Sequence, residues 1–91
     1  MGKYEIYLTE TFEKEVEKLS AQDKKLVFDK IKVIENNPRY QSVKVEGKEN
    51  LFRTRVNDDI RLFWGYRGHR LIVVAHVGHH DVEKRRKVQN Y

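Results

Sequence analysis

Phe52-Arg53-Thr54-Arg55-Val56-Asn57-Asp58-Asp59-Ile60-Arg61-Leu62-Phe63-Trp64 reads as two strands and the turn between them. β-Branched and aromatic residues alternate with polar ones on either side of Asn-Asp-Asp, a cluster whose short side chains bond their own backbone in turns. A three-residue loop of Asn57, Asp58 and Asp59 pairs Val56 with Ile60, Arg55 with Arg61 and Arg53 with Phe63. Phe52, Thr54 and Val56 then share a face with Ile60, Leu62 and Trp64, an apolar surface for other elements to cover. Arg53, Arg55 and Arg61 stand together on the other face, and a slip of one residue would mix the two sets. Like charges set directly opposite disfavour strand pairing by up to about 1 kcal/mol, so stability gives no reason for Arg55 to face Arg61. Either the three side chains fan into solvent, their stems covering the sheet or their heads pairing with acids of a partner, or an anion compensates them.

Reading outward towards the C-terminus, Leu71-Ile72-Val73-Val74-Ala75-His76-Val77 is a third strand. A two-residue Arg67-Gly68 turn would pair Trp64 with Leu71, Leu62 with Val73 and Arg61 with Val74, sending Leu71, Val73 and Ala75 into the core. His76 falls on the arginine face, diagonal to Arg61, and His79 and His80 follow Gly78 where the chain leaves the sheet. Towards the N-terminus, Tyr4, Ile6 and Leu8 alternate as in a half-buried strand. Phe12, Val16 and Leu19 recur at helical spacing behind Thr11 as the expected N-cap. Ser20 and Asp23 open a second helix with the stripe Leu26, Val27, Ile31 and Ile34, which stops before Asn36-Asn37-Pro38. A short extended piece lies around Val43 and Val45. The expected fold is therefore α+β: an N-terminal strand and an α-helical hairpin packed on an antiparallel β-sheet, with room for a short C-terminal helix in Asp81–Val88.

With 91 residues, 38% of them apolar and 36% charged, the chain supports one core under a heavily charged surface, so residues 1–91 are read as a single domain. No apolar run approaches the roughly 18 residues of a membrane helix, and the opening Met1-Gly2-Lys3-Tyr4-Glu5 has no signal-peptide apolar region. Cysteine is absent, which removes disulfides, thiolate catalysis and Cys-ligated zinc, and a reducing cytoplasm is the expected location. Charge is unevenly spread. Met1–Pro38 carries seven lysines and eight acids, a net −1, whereas Arg39–Tyr91 carries twelve basic residues and six acids, a net +6, with every arginine of the chain. Clustered arginine attracts phosphate polymers and grips phosphate with a planar fork.

Other chemistries fit less well. His69, His76, His79 and His80 have neither a His-x-x-x-His helix nor a cysteine pair to make a metal site, and Asn57-Asp58-Asp59 is ordinary turn chemistry before it is a carboxylate pair. No glycine-rich phosphate cradle and no nucleophilic serine motif is present. For base stacking, the register sends Trp64 into the core but Phe63 beside Arg53, so Phe63 is the better candidate.

The order strand, helical hairpin, antiparallel sheet, with Asn37-Pro38 closing the second helix, resembles the RelE/ParE superfamily of toxin-antitoxin toxins over nearly the whole chain. Phe52–Leu62 is similar to that family's basic strand, acidic turn and arginine-bearing strand, and Val77-Gly78-His79-His80-Asp81 to its C-terminal Val-Gly-His-Arg-like signature. The resemblance implies a type II toxin held inactive by a cognate antitoxin, which cuts mRNA in the A site of the 30S ribosomal subunit without metal or other cofactor. A ribose 2′-OH attacks the adjacent phosphate. At the matching positions, Arg53, Arg55, Arg61, His79 and His80 become the catalytic set, with Phe63, His76, Lys84, Arg85 and Arg86 in contact with RNA. Guanidinium groups suit the negative charge that gathers on phosphate oxygens in the transition state, and a neutral imidazole suits the 2′-OH proton. Where many active relatives place a tyrosine after the signature, this chain has Glu83, Lys84 and Arg85, with Tyr91 the nearest substitute. Members of the superfamily also include inhibitors of DNA gyrase and non-catalytic binding modules, which are the rival readings.

Overall fold

Residues 3–40 and 42–79 are described in the computed structural model of the chain. The central hairpin takes the expected register: Phe52 faces Trp64, Arg53 faces Phe63, Thr54 faces Leu62 and Arg55 faces Arg61. The Val56 amide donates to the Ile60 carbonyl to close it. Asn57 makes the turn, its side-chain oxygen accepting from the Asp59 and Ile60 amides, both at 2.9 Å.

The chain order is β1 (Glu5–Leu8), α1 (Glu10–Glu17), α2 (Ala21–Asn36), β2 (Ser42–Lys44), β3 (Phe52–Arg55), β4 (Ile60–Tyr66) and β5 (Leu71–His79). The strands form one five-stranded sheet in the order β1-β5-β4-β3-β2. Strands β2 to β5 are antiparallel to their neighbours, as expected, but β1 joins as a parallel partner of β5, which makes the sheet mixed. The first and fifth strands can pair this way because the helical hairpin and the meander separate them in sequence, the long crossover that parallel pairing needs.

The helices follow their caps. Ser20 accepts from the Asp23 amide, as its sequence position implies. The first cap is Thr9, two residues before the expected Thr11, and its hydroxyl accepts from the Phe12 amide while donating to the Ala75 carbonyl at 3.0 Å. A tertiary contact thus fixes where α1 begins. Phe12, Val16, Val27, Ile31 and Ile34 then pack on Phe52, Ile60, Leu62, Trp64, Ile72, Val74 and Val77. Among the described residues, no helix is long and apolar enough to cross a membrane.

The second hairpin departs from expectation. Its loop is Gly68, His69 and Arg70, with the Arg67 amide bonded to the Leu71 carbonyl and both Gly68 and Arg70 in the left-handed region, at φ 66° and 64°. Trp64 therefore faces Val74, not Leu71, and a β-bulge follows, so that Phe63 faces His76, Leu62 faces Val77 and Arg61 faces Gly78. The buried side chains of β5 are Ile72, Val74 and Val77, which replace the expected Leu71, Val73 and Ala75. Arginine at a left-handed position is an unfavourable choice that carries no turn signal in the sequence.

One buried polar group ties the layers together. Thr54, fully buried, accepts the Trp64 indole N–H at 2.7 Å and lies 2.6 Å from the Ser42 hydroxyl, which in turn reaches the Pro38 carbonyl at 2.9 Å. Thr54→Val keeps the shape but strands the indole donor, and a buried polar group left unsatisfied costs about 1–3 kcal/mol. Chemical denaturation should show that loss as a lower midpoint with an unchanged slope.

Candidate nucleic-acid interface

Alternation along three strands builds the face of the sheet that the helices leave uncovered. Arg53 and Arg55 from β3, Arg61 and Phe63 from β4, and His76 and Gly78 from β5 all lie on it. They form two rows across the sheet. Arg55, Arg61 and Gly78 make the row nearer the Asn57 turn, and Arg53, Phe63 and His76 make the next. Arg55 is exposed, whereas Arg53, Arg61 and His76 are half-buried. Phe63 is 3% exposed and stands outside the main core cluster. That corrects the expectation of an open stacking surface, since a ring at that depth does not offer its face to a base.

The turn supplies acceptors for the two opposed arginines. Arg61 donates to the Asn57 carbonyl at 2.7 Å and to the Ile60 carbonyl at 3.2 Å, and Arg55 forms an ion pair with Asp58. The like charges are thus compensated within the hairpin, contrary to the expectation that stability gives no account of them. The Arg55–Asp58 pair is nevertheless exposed on both sides, at 62% and 93%. Surface pairs of this kind contribute about 0–1 kcal/mol and exchange readily for another anion.

Position on β5 is decided by the bulge. Without the extra residue at Ala75, His76 would follow Ile72 and Val74 into the core; with it, His76 turns onto the arginine face and Val77 turns inward. The expected site of His76 is therefore observed, although the register that led to it is not. For His79 the outcome is the reverse. It faces Ile60, whose side chain is buried under the helices, so its own side chain leaves the strand end on the side away from the arginines, exposed. His80, Lys84, Arg85, Arg86, Tyr91 and the expected C-terminal helix lie outside the described residues.

Sequence reasoning missed Glu15. Because β1 ends at Leu8 and Thr9 caps α1, the helix runs beside the stretch of β5 that β1 does not pair. There the Glu15 carboxylate accepts the Val77 amide at 2.9 Å and sits 3.5 Å from His76 Nδ1. One acid thus fixes the strand just past its bulge and meets the imidazole. Nothing in the sequence distinguishes it from Glu10, Glu13 and Glu17, the other acids of the same helix.

Not every arginine belongs to this face. Arg39 lies over the Phe52 ring at 5.0 Å, and Arg70 over the Tyr4 ring at 5.1 Å, where both contribute to packing. Near them Tyr66 packs against Tyr4, Phe52 and Trp64. Burial pushes its phenol above the ordinary value of 10.0, Tyr4 adds to the shift and Arg39 opposes it. Among the described residues, no three His, Asp or Glu side chains gather as a metal ion would require.

No family model matches the sequence, and no curated protein matches it. The fold, in contrast, has clear counterparts. The RelBE2 toxin-antitoxin complex of Mycobacterium tuberculosis contains a chain that superposes with a TM-score of 0.76 at 19% identity, over 85% of this chain and 98% of that one. The isolated RelE toxin of E. coli gives 0.72 at 19% identity, over 92% and 96%. A YoeB/ParE toxin from Agrobacterium tumefaciens gives 0.74 at 14% identity, over 84% and 98%. Such matches at such identities speak for architecture, and on that evidence this chain has the RelE-like toxin fold.

Proposed function

We propose that this protein is the toxin of a type II toxin-antitoxin pair and an endoribonuclease that cuts mRNA on the ribosome. The observation that carries the reading is the gathering of Arg53, Arg55 and Arg61 with His76 on one uncovered sheet face of a RelE-like fold. Guanidinium groups gathered on one face suit the phosphates of a single RNA strand. In the reaction, the 2′-oxygen forms a bond to the neighbouring phosphorus as the bond to the 5′-oxygen breaks. Arg61 and Arg55 stabilise the charge on the phosphate oxygens. His76 takes the 2′-OH proton, a role that falls to it and not to His79 because only His76 shares the face. The leaving 5′-oxygen takes its proton from water at the exposed surface. Several solved structures of the same fold are complexes with an antitoxin, which supports a cognate antitoxin for this chain, covering the cationic face until release.

Mapping mRNA ends after brief expression tests the reading. New ends inside translated codons, absent when a variant lacking Arg61 is expressed, are the expected result. Intact mRNA accompanied by a DNA-damage response would point instead to gyrase inhibition, and intact mRNA with normal growth to a binding module.

A further inference from the structure

Four glycines lie among the described residues from Gly47 onward, and the fold explains three of them. Gly47 and Gly68 hold φ of 83° and 66°, where side chains with a Cβ are strained. At Gly65 a Cβ would overlap the Asn50 carbonyl oxygen. Gly78 has neither reason. Its φ lies outside the left-handed region, and a Cβ placed there would meet no atom within 4 Å among the described residues. It nevertheless sits within β5, one residue from the strand's end and paired with Arg61, where glycine loses more backbone freedom than any other residue and packs nothing in return.

We infer that Gly78 is the floor of the RNA subsite: a position kept free of side chain so that the sugar-phosphate backbone can descend onto the sheet between Arg61 and His76. This rests on the ribonuclease reading above and adds to it the place where the scissile nucleotide sits. Three observations converge on that place. Gly78 is on the arginine face, directly opposite Arg61. Arg61 is drawn towards the turn, away from Gly78, by its bonds to the Asn57 and Ile60 carbonyls. His76, two residues back on the same face, stands at the far edge of the gap with Glu15 behind it. Residue 78 is thus the one member of the Arg55–Arg61–Gly78 row with no side chain, flanked by the groups that would bind phosphate and accept the proton. A strand glycine often marks a bulge, a bend or the close approach of a ligand or another backbone, and the bulge of β5 lies at Ala75, three residues before Gly78.

The test compares wild-type protein with Gly78→Ala and Gly78→Val in a cell-free translation extract programmed with a reporter mRNA, together with the thermal midpoint of each purified protein. Valine suits a strand, so both variants should melt at or above the wild-type temperature. Cutting should slow by about tenfold for alanine and about a hundredfold for valine, in line with what misplacing a substrate by an ångström does to rate. Wild-type cutting with undiminished cutting by Gly78→Val overturns the inference and leaves the ribonuclease reading standing. A lower midpoint in both variants overturns it as well, because the glycine would then serve the fold. No cutting by the wild-type protein overturns the ribonuclease reading and the subsite with it.

Discussion

Gly65→Ala should lower the stability of this protein by about 2–6 kcal/mol, the sum of overpacking at about 1–3 and of two weakened hydrogen bonds at about 0.5–1.5 each. The reason lies where β3 has not yet begun. Strand β4 extends past Phe52, its last partner on β3, and the Asn50 side chain takes over the pairing there, accepting the Tyr66 amide at 3.0 Å and donating to the Tyr66 carbonyl. For an asparagine to lie that close, the neighbouring residue must have no Cβ, because the atom it would strike is the backbone oxygen of Asn50, which cannot rotate away. Since small domains are held by about 5–15 kcal/mol in all, this one methyl group should remove a large share of the total. The thermal midpoint should fall by about 8 °C or more. A midpoint within a few degrees of wild type would show that the Asn50 segment moves aside at little cost.

Arg61→Ala should reduce mRNA cutting by about 10²–10³-fold, the usual consequence of removing one preorganised donor from a charge-stabilising site. The same substitution removes the bonds to the Asn57 and Ile60 carbonyls, so a modest loss of stability, about 1 kcal/mol, should accompany it. Arg61→Lys separates the two effects. Lysine restores the positive charge but not the planar fork, and it should recover binding of RNA more than it recovers cutting. Cutting by Arg61→Ala at the wild-type rate, with the fold intact, would remove Arg61 from the site.

How much of this was readable beforehand varies from residue to residue. The Asn57 hairpin was legible because one side chain dictates both the loop length and the register, and the arginine face follows from the register alone. The next hairpin was not. Gly68 is an obvious turn residue, but the loop closes through Arg70 in a conformation that arginine rarely takes, and the Ala75 bulge then reverses the alternation of β5. The two departures cancel for every residue past the bulge, so His76 lies on the arginine face as alternation places it, whereas His79, assigned to the site by resemblance and not by alternation, lies on the other. The contacts of Glu15 could not be read at all, because they depend on how far α1 runs past the end of β1. Phe63 shows a different limit. Alternation gives the face of a side chain but not its depth.

The sheet order carries a consequence for how the molecule comes into being. Strand β5 lies between β1 and β4, and Thr9 reaches across 66 residues to bond Ala75. The last strand in chain order therefore completes the middle of the sheet, while its neighbour on one side is the first strand. A nascent chain that has emerged only as far as Tyr66 holds both helices and the arginine hairpin but has no seat for β1, and its apolar surfaces stay open until Leu71–His79 clears the exit tunnel. Pairings so distant in sequence also slow the search for the native arrangement. Maturation is thus tied to the emergence of β5, and a product truncated before Leu71 has no route to the finished surface.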